Sequence, residues 1–380
     1  LPVLWDDREL QAEKYRADYN RAIKARLEET YYKPISAWCR QHGVQLAGHP
    51  DASDDIGILR HFDLPGQDLV LRYVEPGKAT ALEGGHSTMG KCASSAMVHL
   101  GAKRNSNEFA GAYGHQLTFT EYRWLAIWLL IRGCNLLIPH AFYYSIRGPR
   151  IDERPRDVGL HSPWWKNYAR FSNLTGKICW LNTDSQQVCG TAILGLSDFL
   201  PWESAKVCFQ HQHDFNYLTI EDLLRRVERA RDGLRIAGMT YRALIVEPAV
   251  MDRLSGEERK LIVDIESQRQ VVWWKRVEET DGFLAQLYCM DPNPFVFTPS
   301  PLDLRIRYVY KRGFAYLLLF NEGGDEIQTR LSFKDSSLVG NGVLVDMDTG
   351  QEKPWQSDVS LNLSSHGCAV LALPIATHST

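Results

Sequence analysis

Short apolar runs alternate with longer helical stretches over roughly the first 150 residues of the chain. The clearest runs are Val44–His49, Leu69–Tyr73 and Asn135–His140, and each has helical periodicity beside it. Strands that are apolar on both faces and alternate with helices indicate a parallel sheet. A full (β/α)8 barrel needs about 250 residues. We therefore predict that residues 1–180 hold roughly the last half of such a barrel, its fifth to eighth strands.

The pattern changes twice further along the chain. Residues 181–285 again alternate strands and helices, which predicts a flavodoxin-like α/β domain. It contains no glycine-rich nucleotide-binding motif, so we interpret it as structural. In residues 286–380 the hydrophobic period becomes two, with Asn, Gly and Asp at the turns. This alternation predicts a C-terminal antiparallel β-sandwich.

The composition gives reasons against some classes of partner but does not identify a partner. The net charge is -3 and no basic run is interleaved with aromatic residues, so we expect no nucleic-acid partner. No apolar run reaches the roughly 20 residues of a membrane span, so we expect no membrane partner either. The 8 cysteines are scattered and mostly apolar in context, which favours a reducing, cytoplasmic compartment. The 11 Trp and 16 Tyr suit either a sugar-binding site or a large aromatic core.

The candidate catalytic residue is Glu108, which lies in a short segment between a predicted helix and a glycine-containing turn. A carboxylate at the carboxyl end of a barrel strand can act as a base or as a nucleophile at an anomeric carbon. We predict that its neighbour Asn107 binds substrate hydroxyls and holds the carboxylate in position. The alternative is a solvated glutamate in a polar loop.

Other predicted strand ends and one loop supply candidate substrate-binding residues. His49 ends the predicted fifth strand and His140 ends the eighth, where Tyr143 and Tyr144 follow closely. His86 lies in a glycine-bearing loop that could approach a substrate. Because the active site of a βα barrel is built at the carboxyl ends of its strands, we expect these side chains to meet there.

Five segments together resemble the large bacterial α-L-rhamnosidase-type glycoside hydrolases. These segments are Tyr32–Cys39, Asn107–Glu108, Asn135–Tyr144, Asp214–Leu218 and Gly238–Val246. The similarity covers nearly the whole chain as a pattern, although none of the segments is highly specific. It implies a (β/α)8 barrel with one catalytic carboxylate on the fourth strand and another on a later strand. Glu108 matches the later one, and the resemblance places the acid before Leu1.

The sequence therefore predicts a glycosidase that uses two carboxylates on an oligosaccharide or glycoside, with α-L-rhamnosidase activity implied by the resemblance. The residues alone require no cofactor. The resemblance implies calcium, with Glu83 as a candidate ligand. One alternative is a non-catalytic carbohydrate-binding protein on a degenerate barrel, and another is an α/β enzyme that acts on non-sugar substrates. The oligomeric state, the sugar and the stereochemical outcome are left open.

Overall fold

The computed structural model describes residues 2–6, 11–155, 157–334, 342–355 and 360–375. The helices are α1 Ala12–Leu27, α2 Lys33–Gln41, α3 Met89–Leu100, α4 Phe119–Ile131, α5 Trp165–Asn182, α6 Glu203–Gln210, α7 Ile220–Arg225, α8 Pro248–Met251, α9 Gly256–Ser267 and α10 Thr280–Met290. The strands are β1 Ala47–Gly48, β2 Leu64–Val70, β3 Ser106–Gly111, β4 Leu136–Pro139, β5 Gln186–Gln187, β6 Thr191–Gly195, β7 Asn216–Thr219, β8 Glu228–Ala230, β9 Gly233–Ile236, β10 Met239–Tyr241, β11 Ala243–Val246, β12 Val271–Trp273, β13 Phe295–Thr298, β14 Leu304–Lys311, β15 Phe314–Asn321, β16 Ile327–Phe333, β17 Gly342–Asp346, β18 Glu352–Trp355, β19 Ser360–Leu363 and β20 Cys368–Pro374. Within the described ranges, no helix combines the length and hydropathy that a membrane span requires.

Four parallel strands in the order β1-β2-β3-β4 form the first sheet. This order matches the predicted run of consecutive barrel strands, but the sheet is open among the described residues, so a closed barrel is not observed. The second strand begins earlier than predicted, at Leu64 instead of Leu69. Pro65 and Gly66 obscure its start in the sequence, because both residues are rare inside strands. The backbone leaves the strand at Leu71, whose φ is 55°.

Helix α1 is almost entirely exposed. It continues through a π-helical turn at Glu28–Tyr32 into α2, and only Ala12 is buried over its own length. Its large apolar side chains recur every four residues and face solvent: Tyr15, Tyr19, Ile23 and Leu27. Side chains at this spacing form one ridge along a helix, the kind of ridge that usually packs against another element.

Helix α4 is buried on all sides from residue 124 to residue 131, in keeping with the apolar sequence of that stretch. Trp124 and Trp128 are both fully buried in its core. The helix begins with a capping box, in which the Thr118 side chain accepts from the Glu121 amide and the Glu121 carboxylate accepts from the Thr118 amide. Strands β2 and β3 and helices α4 and α5 contribute to one large apolar cluster, and Leu137 of β4 packs against it.

The second parallel sheet has the order β12-β11-β6-β7. In the chain order of these four strands this is 2-1-3-4, the beginning of the flavodoxin-like order. Strand β7 was not predicted, and the predicted helix from Thr219 ends at Arg225 because the chain turns into the small antiparallel sheet β8–β10. Ser255 caps α9, as its sequence predicts.

The place where such a sheet would bind a ligand is filled by the chain itself. In this topology ligands bind beyond the carboxyl ends of the first and third strands, here β6 and β11. At that position the buried Glu247 carboxylate accepts hydrogen bonds from the Ser204 amide at 2.8 Å and its hydroxyl at 2.6 Å, at the start of α6. The amide of Gly57 donates to the Ser197 carbonyl at 2.8 Å, so the segment before β2 covers the loop after β6. These contacts agree with a structural role for this unit.

Two antiparallel sheets follow, in the orders β13-β16-β19 and β18-β17-β20-β15-β14-β5. Alternating residues of both sheets meet in one apolar cluster, so the two sheets face each other as in a sandwich. Strand β5 lies in the segment predicted for the α/β domain, yet it pairs with β14. A second apolar cluster joins residues around Ile56 and Ala96 to the flavodoxin-like sheet. The predicted domain boundaries remain a prediction, and the packed cores cross them.

Candidate functional site

Polar side chains from neighbouring parallel strands meet at the carboxyl edge of the first sheet. We call His49, Asp68, Glu108 and His140 the strand-end cluster. Asp68 and Glu108 are paired in register on β2 and β3. One ligand atom each from His49, Asp68 and Glu108 lie within 4.8 Å of one another. The parallel sheet produces this convergence because it brings the carboxyl ends of successive strands to one edge.

Glu108 is half-buried, with 32% of its side chain exposed, so its carboxylate is accessible from solvent. The backbone directly after it is irregular: Ala110 and Ala112 have φ values of 71° and 53°, and the β2–β3 register shifts at Leu69 and Val70. Bulges of this kind occur next to active sites, where they change the direction of a side chain.

Asp68 is the member of the cluster that the sequence did not reveal. Burial is the main cause that raises the pKa of Asp68, and the neighbouring Glu108 carboxylate raises it further, whereas His49 and His140 act in the opposite direction. Its Oδ1 atom is buried and has no hydrogen-bond partner among the described residues. Asp68 was missed because it lies in the Leu64–Val70 strand, whose start was placed too late.

His49 directly follows β1 and lies opposite Glu108 in the cluster. Its Nδ1 must donate to the Pro50 carbonyl at 3.0 Å, because a carbonyl oxygen only accepts. The other ring nitrogen, Nε2, lies 3.9 Å from Glu108 Oε2. When protonated, His49 therefore places a positive charge beside the carboxylate.

His140 and Tyr143 are brought together at the end of β4, as the sequence predicts for that strand end. The Tyr143 hydroxyl lies 3.4 Å from His140 Nε2, and the Tyr143 amide donates to Asp157 at 3.1 Å. Tyr144 is fully exposed, so a substrate contact by its ring remains a prediction.

His86 is held in a fixed orientation at one side of the same edge. The Ser53 hydroxyl lies 2.8 Å from His86 Nδ1, and the Tyr73 ring stacks on the imidazole at 3.7 Å between centroids. Partial burial lowers the pKa of His86 below its usual range. His86 is exposed and oriented, which agrees with a binding role, although the structure does not place it in contact with Glu108.

Asn107 requires a correction, because it does not face the cluster. Successive side chains of a strand point to opposite faces, so Asn107 points away from Glu108 into the helix layer. It is fully buried, and its amide donates to Asn105 Oδ1 at 2.8 Å and to Cys134 Sγ at 2.9 Å. Direct substrate binding by Asn107 is therefore excluded by its position, and its role is to brace the strand.

The calcium that the family resemblance implies does not fit these residues well. Calcium takes six to eight oxygen ligands, whereas His49, Asp68 and Glu108 offer two carboxylates and one imidazole. Such a mixed set of nitrogen and oxygen donors suits a metal such as zinc better. Glu83, the residue proposed as a calcium ligand, instead forms an ion pair with Lys206, with 2.6 Å between Oε1 and Nζ.

Comparisons with known proteins give a fold but no sequence relative. No protein-family model matches the chain, and no curated protein matches it either. The chain is similar to the structure of a rhamnosidase from Novosphingobium sp. PP1Y, with a TM-score of 0.69 and 14% sequence identity. This similarity covers 97% of the present chain and 40% of the rhamnosidase.

Two β-galactosidases are similar at lower scores. One is from Bacillus circulans sp. alkalophilus, with a TM-score of 0.55 and 10% identity, covering 87% of this chain and 63% of that one. The other is a catalytic mutant of a GH42 enzyme from G. stearothermophilus, with a TM-score of 0.54 and 8% identity, covering 87% and 64%. The chain therefore has a glycoside hydrolase-type fold and spans less than two thirds of each of these proteins.

Proposed function

We propose that this chain carries a catalytic carboxylate of a glycoside hydrolase, and that the carboxylate is Glu108. The observation that carries the proposal is the position of Glu108: an accessible carboxylate at the carboxyl edge of a parallel sheet, beside Asp68 and His49. Similarity to a rhamnosidase and to two β-galactosidases supports a sugar substrate. Among sugars we propose α-L-rhamnosides, because the rhamnosidase similarity covers almost the whole chain.

The chemistry requires one carboxylate, which either attacks the anomeric carbon or activates a water molecule. It also requires one carboxyl group that donates a proton to the leaving oxygen. Glu108 takes the first role. In an inverting reaction it removes a proton from water while the water oxygen bonds to the anomeric carbon. In a retaining reaction Glu108 itself bonds to that carbon, and water that is deprotonated by the second carboxylate later displaces Glu108 and frees the sugar. In either case the electron pair of the broken C–O bond goes to the leaving oxygen, which the second carboxyl group protonates.

Asp68 is the candidate for the second carboxyl group among the described residues. A carboxyl group whose pKa is raised keeps its proton closer to neutral pH and can therefore act as an acid. Oxygen atoms of Asp68 and Glu108 lie within 4.8 Å of each other. This separation is closer to the 5–5.5 Å or so of retaining enzymes than to the roughly 6.5–9.5 Å of inverting ones.

The decisive test replaces Glu108 by Gln. We expect hydrolysis of p-nitrophenyl α-L-rhamnopyranoside to fall about 10³-fold, the range of a lost base or nucleophile, with an unchanged circular dichroism spectrum. The matched control is Glu83→Gln, which removes a partly exposed carboxylate outside the cluster and should keep full activity. Undiminished turnover by a folded Glu108→Gln protein would disprove the assignment. Sugar binding without any wild-type hydrolysis would support the non-catalytic alternative.

A further inference from the structure

An aromatic surface lies beside the strand-end cluster, and its rings are only partly buried. It consists of Phe142, Trp165 and Tyr168. Phe142 meets the other two rings edge-on, at centroid distances of 6.2 Å and 5.2 Å, while Trp165 and Tyr168 stack at 5.5 Å. Phe142 remains 48% exposed and Trp165 42% exposed.

Hydrogen bonds hold this surface against the end of β4. Asp157 accepts from the Tyr143 amide at 3.1 Å and from the His161 amide at 2.8 Å. The Val158 amide donates to the Ala141 carbonyl at 3.0 Å. The segment that leads into α5 is thus tied to the segment that follows His140. The rings are fixed before any ligand arrives, which lowers the entropy cost of binding.

The position of the aromatic surface points to a particular ligand. Trp165 is the first residue of α5, the helix that follows β4, so it lies toward the carboxyl edge of the sheet. Phe142 follows His140 by two residues, and His140 acts electrostatically on Asp68. A sugar ring has apolar C–H faces that stack on aromatic rings, and polar hydroxyl edges. The residues on either side of Phe142 supply polar groups, since the Tyr143 hydroxyl lies 3.4 Å from His140 Nε2.

We propose that Phe142 and Trp165 form a binding site for the second ring of a glycoside whose first ring occupies the strand-end cluster. This inference rests on the proposed function and extends it by giving the substrate at least two rings. In this arrangement the glycosidic bond to be cleaved lies between the strand-end cluster and the aromatic surface. A substrate with one sugar ring leaves Trp165 uncovered.

Helix α5 provides its own control residue. Trp180 lies on the same helix and is 43% exposed, nearly the same as Trp165. At 1.5 Å per residue the two positions are about 22 Å apart along the axis, so Trp180 lies toward the opposite edge of the sheet. Its ring faces Lys311, whose Nζ is 4.5 Å from the ring centroid. Removing Trp180 removes an exposed indole of equal size far from the cluster.

The test measures sugar binding to the full chain carrying Glu108→Gln, so that hydrolysis does not consume the probe. Ligand-detected saturation-transfer NMR gives Kd values for L-rhamnose and rutinose, and for D-galactose and lactose. We expect the disaccharide of at least one pair to bind about tenfold more tightly than its monosaccharide, as one stacked aromatic contact allows. Trp165→Ala should abolish this ratio, Trp165→Phe should largely keep it, and Trp180→Ala should leave it unchanged.

Several outcomes would overturn the inference. These are equal affinity for one and two rings, a ratio that survives Trp165→Ala in a folded protein, and an equal loss on Trp180→Ala. Failure of the glycosidase proposal looks different, because it is an absence of hydrolysis by wild-type protein while the Trp165-dependent ratio persists. Hydrolysis with no dependence of the ratio on Trp165 would instead disprove the aromatic binding site alone.

Discussion

At the scale of single residues, the sequence points to Glu108 as a candidate because it adjoins a turn after a short strand. It points to His49 and His140 because they end apolar runs, and to Tyr143 because it follows His140 closely. It did not locate Asp68, whose importance depends on register. Asp68 is significant because β2 pairs with β3 so that it lies beside Glu108. Pairing between strands that are distant in sequence leaves no local pattern. The face of Asn107 follows instead from the alternation of side chains along its own strand.

The like charges of Asp68 and Glu108 lead to a prediction about stability and pH. Because the pKa of Asp68 is raised in the folded protein, its proton stabilises the fold at low pH, and this contribution is lost as pH rises through the folded pKa. Asp68→Asn removes the buried charge. We expect the variant to have a higher Tm than wild type at pH 8 and a shrinking difference toward about pH 4, the ordinary aspartate value. Calorimetry across this range measures the effect, and a difference that does not vary with pH would contradict it.

At the scale of elements, periodicity was most informative where a helix or strand is long and regular. The hydrophobic period predicts strands at Arg305–Tyr310, Phe314–Phe320 and Ile327–Leu331, and helices from Gly90 to Leu100 and from Ser255 to Glu266. Each agrees with an observed element to within two residues at either end. The Asp-rich start of the segment from Asp54 to His61 predicts a helix. The structure has only a 3-10 turn at Ile58–His61, because this segment packs against the flavodoxin-like unit. Tertiary contacts determined its conformation, and the local sequence does not contain them.

The cap of α4 gives a test at this scale. Thr118 and Thr120 are both plausible caps in the sequence, and the structure selects Thr118. Thr118→Ala should cost about 1 kcal/mol of unfolding free energy, the usual value for a lost cap. Thr120→Ala, at the second position inside the helix, should leave the unfolding free energy unchanged or raise it by a few tenths of a kcal/mol, because alanine is a better helix former than threonine. Urea unfolding of both variants gives the comparison, and equal losses would show that the capping box contributes nothing.

At the scale of the whole molecule, buried charges join the units to each other. Arg132 on α4 lies 3.0 Å from Glu322, and the same carboxylate lies 3.2 Å from Arg305 on β14. All three side chains are almost completely buried, and burial lowers the pKa of Arg132 to about 10. No sequence pattern predicts this triad of two arginines and one glutamate, because its members are separated by up to 190 positions. It connects the parallel sheet's helix layer to the antiparallel sheets.

Removing the shared carboxylate should therefore be costly. Glu322→Ala leaves two buried guanidinium groups without a counter-charge, and we expect a loss of about 3–5 kcal/mol. Glu326→Ala, which removes an exposed carboxylate four residues away, should change stability by less than about 0.5 kcal/mol. Chemical unfolding followed by far-UV circular dichroism measures both. A small loss for Glu322→Ala would mean that water reaches the triad.

The bare ridge of α1 has a practical consequence for anyone who handles this protein. Helix α1 leads through α2 into β1, which has one hydrogen-bonded neighbour among the described residues. The exposed apolar side chains of α1 and one edge of the first sheet thus belong to consecutive segments. Exposed apolar side chains and open sheet edges both promote association between copies of a protein. We expect the protein to self-associate through α1 at high concentration. In the Tyr19→Lys, Ile23→Lys double variant two charges interrupt the apolar ridge, so light scattering should give a lower average mass than for wild type.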